Sequence, residues 1–288
     1  MKIYIKKPEK ISRNNKEMDN KHLQFSSILI ALIIVFCAHF AISQEVDDES
    51  EFTYDMNSPN GPDHWGEIHP EWRLCKKGKL QSPIDLTHKR VHTTSKLGKI
   101  NRDYKPANTT LINRGHDLML RWVRGAGHIH INKTKYQLNQ LHWHTPTEHT
   151  INGRRFNLEL HLVHQSRNKR IAVVGILYKI GHPDSFLSKL EPYLKALCSK
   201  RKVEKRVGII DPRKIKIGSK KYYRYIGSLT TPPCTENVVW TIAKKVRTVS
   251  RAQLRLIRKA VHDDAGANAR PLQPLNNRLL MLYRPDDH

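Results

Sequence analysis

The segment Gln140-Leu141-His142-Trp143-His144 alternates polar and apolar side chains, and Glu159-Leu160-His161-Leu162-Val163 repeats that alternation. Successive side chains of a β-strand point to opposite faces, so this pattern is typical of two strands that each bury one face. Strand-like segments separated by turn residues extend on both sides of them, over residues 118–123, 136–144, 156–165, 171–180, 222–226 and 238–244. The sequence therefore predicts a mixed, mainly β fold, with a single domain built on a large central, mostly antiparallel sheet.

Helical patterns are few. Four leucines between residues 187 and 197 recur at helical spacing, and Pro192 caps or kinks that stretch. Ser250 and Gln253 have the spacing of a capping box, which marks the start of a second helix. Residues 57–85 are rich in Pro, Gly and Trp and predict an irregular lead-in that packs on the domain without joining the sheet. We expect a few peripheral helices around the sheet.

The N-terminal region has the pattern of a secretory signal. A basic leader precedes an apolar block, residues 26–43, which ends in Ala41-Ile42-Ser43, the small-x-small form of a cleavage site. We predict a leader and signal peptide over residues 1–43, an acidic spacer over 44–53, the folded domain over 54–285 and a tail over 286–288. An uncleaved anchor is the alternative, because the block approaches membrane-spanning length. The expected location is extracellular, with a chloroplast reached through the secretory route as the alternative.

Cysteines and sequons agree with an oxidising compartment. Cys37 leaves with the signal, so Cys75, Cys198 and Cys234 remain, which gives one pair and one unpaired thiol. Sequons at Asn108 and Asn132 predict N-glycosylation.

The formal net charge of the chain is +25. A solvated basic face is one interpretation, and contact with nucleic acid, an anionic membrane or an acidic polysaccharide is the other. No motif that interleaves aromatic and basic residues accompanies the charge, so we expect no nucleic-acid partner. An acidic polysaccharide surface stays open.

The histidines of the two opening segments could converge on one point. His142 and His144 share a strand face with Gln140, and His161 shares a face with Glu159. Three neutral imidazoles with one open position are typical of a catalytic zinc site, since a structural site adds a fourth protein ligand. Gln140 and Glu159 each precede a ligand by two residues, where they could accept its second N–H. The alternative for a His-x-His pair in a chain with 17 His is a solvent-facing polar pair.

Seven motifs occur in an order that identifies a family. They are Gly61-Pro62-Asp63-His64-Trp65-Gly66, Gln81-Ser82-Pro83-Ile84-Asp85, Asn113-Arg114-Gly115-His116, Leu141-His142-Trp143-His144, Thr147-Glu148-His149-Thr150, Glu159-Leu160-His161-Leu162-Val163-His164 and Gly227-Ser228-Leu229-Thr230-Thr231-Pro232-Pro233-Cys234-Thr235-Glu236. The chain resembles the alpha carbonic anhydrases, and in detail their plant branch, from about residue 54 to residue 285.

The resemblance implies a lyase that reversibly hydrates carbon dioxide to bicarbonate and a proton. It implies one Zn²⁺ per chain, held by the three histidines named above and oriented by Gln140 and Glu159. Thr230 matches a threonine that donates to a glutamate, here Glu148, and so aims the nucleophile. His116 matches the proton shuttle, a role suited to a side chain that titrates near neutrality.

The resemblance also implies a substrate niche and a disulfide. Thr231 matches a residue near substrate and product, and the apolar wall for carbon dioxide matches Val163, Val173, Leu229 and Trp240. Cys75 matches the disulfide partner of Cys234, and the leucine-rich surroundings of Cys198 favour a buried free thiol.

Two departures and two alternatives accompany the resemblance. Arg114 and Met119 stand where many animal members carry asparagines that order the water chain, which bears on the speed of proton transfer. The high basic charge is the second departure. The alternatives are a catalytically silent zinc-binding or storage protein of the same fold, and a basic polyanion-binding module.

Overall fold

The computed structural model describes residue 45 and residues 49–197, 203–261 and 266–286 of the chain. The predicted signal peptide with Cys37, the thiol of Cys198 and the last two residues of the tail lie outside this part. Within it, no helix has both the length and the apolar character that crossing a membrane requires.

One sheet organises the described residues. Its strands are β1 (Val91–Thr94), β2 (Arg102–Tyr104), β3 (Ala107–Asn113), β4 (Leu118–Trp122), β5 (Gly127–Ile131), β6 (Thr134–His144), β7 (Leu158–Gln165), β8 (Ile171–Ile180), β9 (Glu204–Ile210), β10 (Tyr222–Ser228), β11 (Glu236–Ala243), β12 (Arg247–Val249) and β13 (Leu280–Tyr283). Ten of them follow the order β1-β13-β10-β11-β8-β7-β6-β4-β3-β9; β12 pairs with β8, and β5 pairs with β2 and β6.

The direction of pairing confirms the predicted sheet. The β1–β13, β8–β11 and β8–β12 pairs are parallel. The other pairs that join the described strands are antiparallel. Each of the six predicted strands is present, with ends that shift by two residues or fewer.

Helices are short and peripheral: α1 (Trp65–Ile68), α2 (Leu74–Lys77), α3 (Ser185–Leu197) and α4 (Arg251–Ala260). The first two belong to the lead-in and were not predicted. Pro192 lies inside α3, where the sequence pattern favoured a cap or a kink. The capping box is confirmed, because the Ser250 side chain accepts from the backbone of Gln253 and the Gln253 side chain accepts from the backbone of Ser250.

Strand β7 separates the main core from the site. Leu158, Leu160 and Leu162 join the large apolar cluster that also contains the buried leucines of α3. Glu159 and His161 therefore point to the opposite face, as the alternation predicts.

A bulge in β6 determines which of its residues face the site. Tyr136 and Leu138 lie in the same apolar cluster as Leu141 and Trp143, although the second pair is out of phase with the first. The phase changes because the register with β7 shifts between Leu138 and Gln140. If the strand alternated strictly through Asn139, with no bulge, the even-numbered histidines would share the core face of Tyr136 and Leu138.

Candidate metal centre

Three buried imidazoles meet on the face of β6 and β7 that lies opposite the main core. His142 lies directly opposite His161 in the antiparallel pair, and His144 is two residues further along β6. Nε2 of His142 is 3.2 Å from Nδ1 of His161. One ring nitrogen from each of the three side chains falls within 4.8 Å of the other two. The convergence predicted from the alternation is thus present.

The outer nitrogens of two rings are bonded as predicted. His142 donates from Nδ1 to Oε1 of Gln140 at 2.9 Å. His161 donates from Nε2 to Oε1 of Glu159 at 2.9 Å. Each acceptor fixes the tautomer of its imidazole, which leaves the inner nitrogen with a lone pair that points toward the other rings.

The third ring is oriented by Asn268, which the sequence analysis missed. His144 donates from Nδ1 to the backbone oxygen of Asn268 at 2.6 Å. The side chain of Asn268 accepts from the backbone N–H of Thr145 and donates to the backbone oxygens of His116 and Trp143, at 2.7, 2.8 and 3.0 Å. A single buried asparagine therefore connects this ligand strand to the loop that carries His116.

The donor set fits a zinc ion. Nε2 of His144 is buried and has no hydrogen-bond partner, which is a costly state for a ring nitrogen unless something else binds it. Burial, together with the neighbouring charges of His144 and His161, lowers the pKa of His142 well below its usual range. Burial likewise lowers the pKa of His161. Neutral imidazoles in this arrangement are the ligands that zinc prefers.

A second layer of polar groups surrounds Glu159. Its Oε2 accepts the backbone N–H groups of Glu148 and His149, both at 2.9 Å, and its Oε1 accepts from Nδ1 of His149 at 2.7 Å. Burial opposes ionisation of Glu159, but His149 and His161 hold its pKa well below the usual range. His149 is bonded in turn through Nε2 to the hydroxyl of Tyr225 at 2.7 Å. His149 and Tyr225 were not assigned roles from the sequence, although His149 lies within one of the quoted motifs.

Glu148 and Thr230 were predicted to hydrogen bond to each other. Oε1 of Glu148 accepts the backbone N–H of Arg270 at 3.0 Å, whereas Oε2 is buried without a partner, 3.5 Å from Nε2 of His144. Thr230 and Thr231 are both buried. A bond between Thr230 and Glu148 is not among the hydrogen bonds of the described residues, so that contact stays a prediction.

The four apolar residues assigned to the niche form one surface. Val173, Leu229 and Trp240 belong to a single buried cluster, and Val163 packs against it. The Trp240 ring lies 4.8 Å from the ring of His161, centroid to centroid. Val163 and Leu229 also line a cavity of about 350 Å³ that opens beside Gln140 and Met119. None of the three histidines lines this cavity, but it adjoins the site through Gln140, and we refer to it as the mouth of the site.

His116 lies at the edge of the site, half-buried. Its Nε2 donates to the backbone oxygen of Phe52 at 2.5 Å. The rings of Phe52 and Tyr54 pack against it at centroid distances of 5.2 and 5.6 Å. Phe52, within the predicted acidic spacer, and Tyr54, just after it, thus hold the ring of the predicted proton shuttle.

The start of the described chain reaches the site through Arg114. Its guanidinium contacts Asp117 and lies 3.2 Å from Oε2 of Glu45 and 3.3 Å from Oε1 of Glu49. Gln140 donates from Nε2 to the same Oε2 of Glu45 at 3.1 Å. Burial raises the pKa of both glutamates. Residues 44–53 were predicted as an acidic spacer ahead of the folded domain, yet these two side chains are buried beside the site.

The predicted disulfide is present, and both predicted glycosylation sites are exposed. Cys75 and Cys234 are bonded across a separation of 159 residues, which confirms the pair and ties α2 to the loop of Thr230. Asn108 in β3 and Asn132 in the turn after β5 are both exposed, so glycosylation at them stays a prediction.

Comparison with known proteins agrees with this geometry. The eukaryotic-type carbonic anhydrase family matches residues 60–284. Alpha carbonic anhydrase 7 of Arabidopsis thaliana is 61% identical over 241 residues, which cover 84% of this chain and 88% of that protein. A dioscorin solved in complex with ascorbate has a TM-score of 0.80 and 44% identity, covering 83% of this chain and 100% of the other.

Another solved structure extends the likeness. The alpha carbonic anhydrase of Thermovibrio ammonificans, solved with sulfanilamide, has a TM-score of 0.73 and 35% identity, covering 80% of this chain and 98% of the other. With a family match that spans most of its length, this chain belongs to the eukaryotic-type carbonic anhydrase family.

Proposed function

We propose that this protein is a working carbonic anhydrase that reversibly hydrates carbon dioxide to bicarbonate and a proton. One observation carries the proposal: three buried imidazoles point nitrogen lone pairs at one position, and each outer nitrogen is fixed by a separate acceptor. A position for exchangeable ligands remains, because three and not four side chains of the described residues converge there.

The ion would be held by Nε2 of His142, Nε2 of His144 and Nδ1 of His161. Zinc, when bound there, supplies the Lewis acidity that makes a water nucleophilic near neutral pH, an effect for which carbonic anhydrase itself is the standard example. Neutral ligands leave the charge of the ion undiminished, and the buried second-layer groups keep the rings in the required tautomers.

Around this position the residues of the chain have three tasks. Glu148 has one buried carboxylate oxygen free to accept, and we assign Thr230 as its donor. The cluster of Val163, Val173, Leu229 and Trp240 offers an uncharged linear substrate a dry surface beside His161. His116 would carry the proton outward, after its ring leaves the carbonyl of Phe52.

The test combines metal analysis with a carbon dioxide hydration assay on the purified protein. We expect one zinc per chain and hydration that a sulfonamide inhibits. His142→Ala should lose both zinc and activity. The chain offers a matched control in β5, where His128 and His130 form another His-x-His pair with ring centroids 4.8 Å apart. His130→Ala removes an exposed histidine and should keep zinc and activity.

Two results would contradict the proposal. Full zinc occupancy in His142→Ala would show that the ion binds elsewhere. A wild-type protein with one zinc per chain but no hydration would favour the silent binding protein instead. One of the similar solved structures is a dioscorin in complex with ascorbate, so the hydration assay has to test the silent alternative directly.

The cellular location of the protein is also proposed from its sequence and its disulfide. The apolar block and its small-x-small end support entry into the secretory route, and the disulfide suits an oxidising compartment. We propose secretion, with cleavage after Ser43.

A further inference from the structure

A polar, cationic groove continues from the mouth of the site across β6 and the β7–β8 turn. The mouth cavity of about 350 Å³ and a neighbouring depression of about 660 Å³ share Gln137, Asn139 and Gln165 in their walls. Both volumes fall in the range typical of ligand sites. Because the two depressions share a wall, an extended molecule could lie along both of them.

The charge of this groove has one sign. Its walls contain five exposed or half-exposed cations: Arg121, Arg124, Lys135, Arg167 and Lys169. Among the described residues, Glu45 is the one acidic side chain of the walls, and Arg114 already contacts it.

The cations of the groove are poorly compensated. Arg121 lies 3.7 Å from Glu204, an exposed pair that contributes little. Within the described part of the chain, the other four cations form no ion pair with a carboxylate. A bound polyanion would therefore not have to displace internal partners.

The neutral residues of the groove suit a hydroxylated ligand better than bases or lipid. Amide and hydroxyl side chains supply much of its remaining wall, including Gln137, Asn139, Gln165 and Asn168. Trp122 is the one aromatic side chain of the described walls, but it is buried and its indole N–H donates to the backbone of Ile210. Binding of single-stranded nucleic acid relies on exposed aromatic platforms, which these walls lack.

We propose that this groove binds an acidic polysaccharide, with uronate carboxylates at the cations and sugar hydroxyls at the amides. The proposal goes beyond carbon dioxide hydration and does not depend on it. It assigns a binding role to part of the strong positive charge of the chain, namely the cations next to the mouth of the site.

The test measures binding of the full, zinc-loaded protein to a fluorescently labelled oligogalacturonate. Arg124→Gln/Arg167→Gln/Lys169→Gln should weaken binding by about tenfold, since three exposed charge contacts are removed. The matched control is Arg251→Gln/Arg255→Gln/Lys259→Gln in α4, which changes the net charge equally at exposed positions outside the groove. It should bind within about twofold of wild type. Zinc content and thermal unfolding verify that both triple variants are folded.

Further probes separate the alternatives. The methyl-esterified oligogalacturonate keeps the sugar chain without its charge and should not bind. Equal losses in the two triple variants would overturn the proposal, because the attraction would then be diffuse. Undiminished binding of the esterified chain would also overturn it. So would tighter binding of a single-stranded oligonucleotide or of phosphatidylserine vesicles, if that binding were lost in the groove variant.

Discussion

Replacing Asn268 with alanine should weaken both the fold and the metal site. Asn268 is fully buried. The substitution removes the acceptor for the backbone N–H of Thr145 and the donors for the backbone oxygens of His116 and Trp143. A buried group left without its partner costs about 1–3 kcal/mol, and the substitution takes the Oδ1 acceptor away from the N–H of Thr145. Carbonyl oxygens tolerate the loss better. We expect the free energy of unfolding to fall by about 3 kcal/mol.

The effect on zinc follows from the backbone of the same residue. Its carbonyl accepts from Nδ1 of His144, and the three side-chain bonds hold that carbonyl in place. Loss of an outer partner of a metal ligand typically lowers metal affinity about 10- to 100-fold. Asn268→Ala should therefore release zinc to a competing chelator at lower chelator concentration than wild type does.

Urea unfolding of the zinc-free protein and chelator competition measure the two effects separately. Asn60→Ala is the matched control, because Asn60 is exposed and its side chain donates one bond, to the backbone oxygen of Glu51 at 3.2 Å. It should change the unfolding free energy by less than about 0.5 kcal/mol. A loss below about 1 kcal/mol in Asn268→Ala would refute the proposed role in the fold. Unchanged zinc affinity despite a large loss of stability would refute the proposed control of His144.

Three further predictions concern single residues. His116→Ala should keep zinc but slow hydration in weak buffer, with recovery on adding imidazole; an unchanged rate in weak buffer would exclude it as the shuttle. Burial lowers the pKa of His164 from 6.5 to about 4, so the unfolded chain takes up its proton first as the pH falls. Wild type should thus lose up to about 3 kcal/mol between pH 6.5 and 4 relative to His164→Gln, and parallel urea-unfolding curves across that range would contradict this. A Cβ on Gly175 would lie 2.5 Å from Cδ1 of Ile242, so Gly175→Ala should cost about 1–3 kcal/mol. Adding Ile242→Val removes that methyl and should restore part of the loss in thermal unfolding, whereas no rescue would place the strain elsewhere.

Sequence periodicity predicted the centre of this fold well, because its strands are long and buried on one or both faces. The leucines of β7 and the apolar run of β8 have a strong two-residue period or a continuous apolar character. The short strands β1, β2, β12 and β13 have three or four residues each, too few for a period to be recognised. Their places depend on pairing with distant strands, as β1 does with β13.

The ligand set was predictable for the same local reason. The two-residue strand period relates Gln140, His142 and His144 on β6. The same period relates Glu159 and His161 on β7. Asn268 is 124 residues from His144, and Glu45 is 95 residues from Gln140. No local pattern in either distant segment marks such a contact, since an asparagine and a glutamate near a turn or a terminus are common for other reasons.

The bulge at Asn139 has a local sequence signal, unlike the distant contacts of Asn268 and Glu45, but it was not among the predictions. Apolar residues fall at 136 and 138 and then at 141 and 143, so the two-residue period breaks once within β6. A strand that keeps one face in the core across such a break must contain an extra residue, and the register confirms one there. The break matters because it turns the histidines away from the core. Ligand geometry therefore depends on the short segment around Asn139, whereas the orientation of the third ring depends on the distant Asn268. Deleting Asn139 would leave the four apolar residues of β6 in one unbroken two-residue period, so both histidines should stay on the site face and metal analysis should still find bound zinc.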